Sequence, residues 1–128
     1  MITVKLYTLL FSIMMVESDG NPNAIGDNGE AWGCMQIHMC VIQDVNRIYK
    51  NNYKSQDRFV TRTSFDIASK YLKFWGRQYE KDTGKKPNAE VYARIWNGGP
   101  IGYKKSSTLK YWVKVQKEIL ENTLSDDA

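Results

Sequence analysis

Apolar residues recur at helical spacing in five stretches of the chain, and a glycine-rich polar gap separates the first from the rest. In the first stretch Leu6, Leu9, Leu10, Ile13 and Val16 mark one face, and the spacing predicts a helix over Lys5–Ser18. Phe11, Met14 and Met15 add apolar character on other faces, so this helix is expected to be central. Residues 20–33 then carry Gly20, Gly26, Gly29 and Gly33 together with Asn21, Asn23, Asp27 and Asn28. These are turn-forming residues, and Asp27-Asn28-Gly29 is expected to form the tip of a small β-hairpin. Val41, Ile42, Val45, Ile48 and Tyr49 predict a second helix over Met39–Tyr49, followed by a polar loop from Asn51 to Arg58. Thr63-Ser64-Phe65-Asp66 has the form of a capping box and opens a longer helix with Phe65, Ala68, Tyr71, Leu72, Trp75 and Tyr79 on one face, stopped by Gly84 and Pro87. A short helix over Asn88–Trp96 is broken by Asn97-Gly98-Gly99-Pro100. The last helix runs from Thr108 to Leu124 with Tyr111, Trp112, Val115, Ile119 and Leu120 as its apolar residues, leaving a loose tail from Ser125 to Ala128.

The pattern therefore predicts a mainly α fold with a small hairpin or loop region at about residues 20–34. With 128 residues, no linker and no internal repeat, a single domain over 1–128 is expected. Lys5 followed by Leu6–Val16 has the outline of a secretory signal, but no small-residue cleavage site follows, and cleavage there would remove the first helix. No apolar run is long enough to span a bilayer.

Composition changes this picture little. The net charge of +4 favours an anionic partner only weakly, because the basic residues are spread over the chain apart from Lys85-Lys86 and Lys104-Lys105. Two cysteines, Cys34 and Cys40, are too few for a disulfide scaffold and are expected to be free, mostly buried thiols. The lone His38 reads as a surface or loop residue, and no zinc-type spacing accompanies it. No cofactor or metal is expected.

Glu17 is the residue that carries candidate chemistry. It extends the row Leu6, Leu10, Ile13 and so lies along the core-facing stripe. A carboxyl held there loses hydration, which raises its pKa and suits it to act as a general acid. The alternative is a helix-end carboxylate in water. Trp32, Trp96, Tyr103 and Tyr111 lie in or beside polar breaks, where aromatic faces suit sugar rings and where packing explains them equally well.

Glu17-Ser18, Gly33-Cys34-Met35-Gln36-Ile37, Ile95-Trp96-Asn97-Gly98-Gly99 and Thr108-Leu109-Lys110-Tyr111, in this order, resemble the four motifs of the lysozyme-like lytic transglycosylases, the SLT family. There the motifs read Glu-Ser, Gly-Leu-Met-Gln, Ala-Tyr-Asn-Ala-Gly and a late tyrosine. Cys34 for leucine and Trp96 for tyrosine depart from that pattern while keeping apolar or aromatic character. The loop from Gly26 to Gln36 also resembles goose-type lysozymes, which place an aspartate at the position of Asp27 and a second one where this chain has His38.

The resemblance implies a lysozyme-like fold and cleavage of the β-1,4 bond between N-acetylmuramic acid and N-acetylglucosamine in peptidoglycan. It implies Glu17 as catalytic acid, with Ser18, Gln36, Trp96, Asn97 and Tyr111 binding substrate or positioning Glu17. Asp27 is the candidate second carboxylate for holding a water in an inverting hydrolysis, with a turn-forming role as its alternative. Asp19 and Glu30 read as solvated loop charges. The partner expected is the peptidoglycan glycan strand, met by a monomer at the cell wall. A non-catalytic sugar-binding module and a nucleic-acid-binding domain are the competing classes. No recognition-helix pattern supports the latter.

Overall fold

The computed structural model describes residues 4–126. Five α-helices and one two-stranded sheet are found among them: α1 (Leu6–Ser18), β1 (Ile25–Gly26), β2 (Ala31–Trp32), α2 (Met39–Tyr49), α3 (Thr61–Thr83), α4 (Ala89–Gly98) and α5 (Leu109–Asp126). Short 3₁₀ turns occupy Asp27–Gly29, Ser55–Phe59, Gly102–Lys104 and Ser106–Thr108. The chain divides into two compact units, one of Met1–Val16 with Leu72–Ala128 and one of Glu17–Tyr71.

The unit of residues Glu17–Tyr71 is built on the hairpin. β1 and β2 pair antiparallel, with Ile25 opposite Trp32 and Gly26 opposite Ala31. The predicted tip follows from three successive left-handed residues, Asp27, Asn28 and Gly29 (φ 52°, 56° and 91°), a conformation that aspartate, asparagine and glycine adopt most readily. Ala31, Cys34, Met35, Ile37, Ile42, Val45, Ile67, Ala68 and Tyr71 form its apolar core.

In the other unit Leu9, Leu10, Ile13, Met14, Leu72, Val91, Ala93, Ile95, Val115 and Ile119 are buried. Asn88 caps α4, its side-chain oxygen accepting from the Val91 N–H at 2.9 Å, as its preference for this position predicts. Gly84, at φ 75°, follows α3 and ends it.

Several expectations need correction. α3 starts at Thr61, so Thr63–Asp66 forms no capping box. Ser64 lies inside the helix and is buried, donating to the Arg58 carbonyl at 2.8 Å. The segment read as a polar loop ends in Arg58, whose side chain is only 2% exposed. Cys34 is buried but Cys40 is exposed, and both are free. Tyr7 is 71% exposed and Phe11 38%, so α1 is not buried all round. Leu120, counted as apolar lining of the last helix, is exposed. That helix continues to Asp126, so Ser125 and Asp126 belong to it rather than to a loose tail, whose last two residues lie outside the described ones.

Candidate active site

Glu17 and Ser18 form the end of α1. Glu17 is half-buried, between the two surroundings weighed for it. Ser18 donates its hydroxyl to the Cys34 carbonyl at 2.7 Å, which fastens this helix end to the segment 33–37.

That segment is held by reciprocal bonds. The Trp32 N–H donates to the Ile37 carbonyl (3.2 Å), and the Ile37 N–H donates to the Trp32 carbonyl (3.0 Å). Between them the chain turns through Gly33 and Gln36, both left-handed at φ 83° and 52°. Glycine takes such a φ freely, whereas glutamine does so at a cost of about 1–2 kcal/mol. Gln36 has offsetting contacts: its side-chain amide N–H₂ group donates to the Gly33 carbonyl at 2.9 Å and the Ala24 carbonyl at 3.2 Å. A Cβ on Gly26 would collide with the Gln36 amide oxygen, so the bare Gly26 backbone is what admits this side chain. Strain of this kind concentrates where function fixes geometry.

Asp27 stands at the hairpin tip. Its backbone carbonyl accepts from the Glu30 N–H at 3.2 Å, which closes the turn at the tip. Its carboxylate has a separate partner: Asp27 Oδ2 lies 2.9 Å from His38 Nε2. His38 is a surface loop residue just before α2, as expected, and there it meets Asp27. Both side chains keep water contact, at 42% exposure for His38 and 63% for Asp27.

Behind the hairpin sits Arg58, which the sequence reading missed. Its guanidinium donates to the carbonyls of Ile37 (2.8 Å), Ser55 (2.9 Å) and Glu30 (3.4 Å), and to the Ser55 hydroxyl (2.7 Å). It lies 4.0 Å over the Trp32 ring, which also stacks on Phe59 at 5.0 Å. Trp32 is thereby committed to packing, one of its two weighed roles. Burial lowers the proton affinity of Arg58, and the Glu30 charge opposes that shift.

Trp96, Asn97 and Tyr111 belong to the other compact unit. Trp96 and Asn97 lie in the last turn of α4, half-buried and exposed respectively, and the half-buried Tyr111 lies in the first turn of α5. Arg94 and Thr108 join these two helices: Arg94 donates to the Thr108 hydroxyl (2.8 Å), the Lys105 carbonyl (3.0 Å) and Glu90 (2.8 Å). The Lys105 ammonium donates to the Gly98 carbonyl at 2.7 Å, a cation at a helix C-terminus as the helix dipole favours. Tyr103 meets Tyr79 edge to face at 4.7 Å. The bonds of Arg58 to Ile37 and of Arg94 to Thr108 join residues 21 and 14 positions apart, so no local sequence signal shows them.

Among the described residues no group of His, Cys, Asp and Glu could hold a metal ion, and no helix is long and apolar enough to cross a membrane.

A lysozyme of Magallana gigas is 41% identical over 54 residues, which are 42% of this chain and 39% of that protein. Invertebrate-type lysozyme 6 of Caenorhabditis elegans is 33% identical over 103 residues, 75% of this chain and 74% of that protein. The chain thus spans about two-fifths of the Magallana gigas relative and three-quarters of the nematode one. A chain of the crystal structure of Aeromonas hydrophila PliI in complex with Meretrix lusoria lysozyme has a TM-score of 0.65 and 29% identity, covering 91% of this chain and 93% of that one. The fold is mainly α and lysozyme-like, with the small hairpin at the predicted place. The model described as the transglycosylase SLT domain matches residues 5–118, from the start of α1 well into α5, and the chain belongs to that family.

Proposed function

We propose that this protein cleaves the β-1,4 bond between N-acetylmuramic acid and N-acetylglucosamine in peptidoglycan, with Glu17 as the proton donor. The observation that carries the reading is the seat of Glu17: half-buried at the end of α1 and fixed through Ser18 to the strained Gly33–Ile37 segment. Membership of the SLT family supports it. Glu17 gives its proton to the leaving glycosidic oxygen as the bond to the anomeric carbon breaks and an oxocarbenium-like centre develops. The same carboxylate then takes the proton of the muramic acid C6 hydroxyl, whose oxygen closes onto the anomeric carbon. This route is lytic transglycosylation: it leaves a 1,6-anhydro end, consumes no water and needs no second carboxylate. Ser18, Gln36, Trp96, Asn97 and Tyr111 bind the glycan strand or position Glu17. The protein works as a monomer at the cell wall, outside the cytoplasm.

The Asp27–His38 pair favours a second route beside the first. In an inverting hydrolysis a second carboxylate activates a water, and Asp27 is a carboxylate held in a defined direction. The lysozyme names of the relatives point the same way.

The test is digestion of purified peptidoglycan followed by mass spectrometry of the fragments. Anhydro ends are expected from the wild type, and Glu17→Gln is expected to release none while melting normally. Unchanged lysis by that variant removes Glu17 from the acid role. Binding of peptidoglycan without any released fragment would mark a sugar-binding module instead.

A further inference from the structure

We infer that His38 is a positioning residue for Asp27, and that this pair sets how much of the product carries a hydrolysed, reducing end instead of an anhydro end. The inference rests on the glycan-cleavage reading above. Its geometric basis is the 2.9 Å approach of His38 Nε2 to Asp27 Oδ2.

Both members are fixed before they meet. Asp27 opens a tip of three consecutive left-handed residues. His38 follows Ile37, whose backbone exchanges both hydrogen bonds with Trp32 and whose carbonyl also accepts from the buried Arg58 at 2.8 Å. His38 itself precedes the first residue of α2 in an extended conformation. The backbone on either side is thus set by other bonds, and a water-exposed pair adds little to folding. What the pair does supply is direction: with Oδ2 occupied by the imidazole N–H, the carboxylate cannot rotate freely, and Oδ1 is left to accept from a water.

In the hydrolytic branch that water's oxygen bonds to the anomeric carbon as the bond to the leaving oxygen breaks. The Glu17 proton goes to the leaving oxygen, and one water proton goes to Asp27. In the anhydro branch the C6 hydroxyl replaces the water, and Asp27 takes no part. Orientation of Asp27 therefore changes one branch and not the other, and a looser carboxylate lowers the hydrolysed fraction. Misorientation of a catalytic group by about 1 Å is enough for a loss on the order of a hundredfold.

The experiment compares wild type, His38→Ala, His38→Gln, Asp27→Asn and the His38→Ala/Asp27→Asn double variant on purified peptidoglycan, reading the ratio of reducing to anhydro ends. Wild type is expected to give both kinds of end. His38→Ala and Asp27→Asn should each lower the ratio at least tenfold, the double variant should lower it no further than Asp27→Asn alone, and His38→Gln, which keeps an N–H donor, should restore part of it. A ratio that does not move with His38, or a wild type that makes anhydro ends only, overturns the inference and leaves glycan cleavage standing. No fragments from any form, wild type included, sinks the cleavage reading and this inference with it.

Discussion

The carbonyl of Arg58 fills the space that a side chain on Gly33 would need. A Cβ built on Gly33 overlaps that carbonyl, and the Gly33 backbone is left-handed at φ 83°. Two independent penalties therefore meet at this position: a left-handed L-residue costs about 1–2 kcal/mol, and displacing the Arg58 backbone disturbs the Ser64 hydroxyl bonded to it. Gly33→Ala should destabilise the fold by at least about 2 kcal/mol, read as a lower denaturant midpoint with an unchanged slope. A midpoint equal to that of the wild type would show that the segment relaxes without cost.

Arg58 itself should be among the most sensitive polar positions. Its bonds go chiefly to backbone carbonyls and a hydroxyl, and hydrogen bonds to a charged donor contribute roughly 1.5–3 kcal/mol each. Arg58→Met would leave the Ile37 and Ser55 carbonyls without this partner, for an expected loss of about 2–4 kcal/mol. Arg58→Lys should lose nearly as much, because an ammonium cannot reproduce the planar fork that reaches several acceptors at once. Urea unfolding of the two variants checks this. A lysine variant as stable as wild type would mean that charge rather than fork geometry matters here.

The contrast between α2 and Arg58 shows where the sequence was legible. Met39–Tyr49 has a clear apolar stripe, Ile42 and Val45 are buried by it, and the observed bounds match the expected ones. The hairpin was legible for a local reason too, since Asp-Asn-Gly accommodates the left-handed tip. Arg58 lies in Ser-Gln-Asp-Arg-Phe, a polar run whose local signal is surface. Its burial depends on Trp32, Glu30 and Ile37, more than twenty residues away along the chain. The capping box at Thr63 failed for the same reason: the Ser64 hydroxyl serves the Arg58 carbonyl, a contact that exists only once the 3₁₀ turn at Ser55–Phe59 has formed. In the candidate site, Glu17 and Gln36 were visible as motif residues. The partner of Asp27 was not, because His38 reaches it only through the closed Trp32–Ile37 bridge.

Gln36 offers a test of how much of the site depends on the clamp. Its amide bonds to the Gly33 and Ala24 carbonyls offset an unfavourable left-handed backbone. Gln36→Ala removes the bonds and keeps the strain, so about 1–2 kcal/mol of stability should be lost. Gln36→Gly relieves the strain and should recover part of it. Neither should retain full cleavage of peptidoglycan if the clamp also positions Glu17 through the Cys34 carbonyl. Full activity in both would limit Gln36 to a structural role.

The two thiols should react very differently. Cys34 is buried, and desolvation pushes its thiol above the usual value against the weaker opposite pull of Thr61 and Ser64. Cys40 is exposed in the first turn of α2. Because the thiolate is the reactive form, iodoacetamide at pH 8 should modify Cys40 in the native protein at least a hundredfold faster than Cys34. Peptide mapping after timed quenching gives both rates. Equal labelling would mean that the segment around Cys34 opens readily.

Tyr71 should make the fold sensitive to alkali. It is buried, and burial together with the charges of Asp44 and Cys40 pushes its phenol up to about 12. The unfolded chain releases this proton near 10, so between pH 10 and about 12 the unfolded state binds fewer protons than the native one and stability falls as pH rises. The stabilisation is fully present below pH 10 and is lost as pH climbs through about 12, a change of about 2–3 kcal/mol for two pKa units. Tyr92, raised by burial and by Glu80 against the opposite effect of Arg77, adds in the same direction. Tyr71→Phe cannot ionise, so its unfolding free energy should decline less steeply across this window than that of the wild type. Denaturant titrations at pH 9, 10 and 11 measure both slopes, and parallel declines would show that Tyr71 ionises as freely in the folded protein as in the unfolded chain.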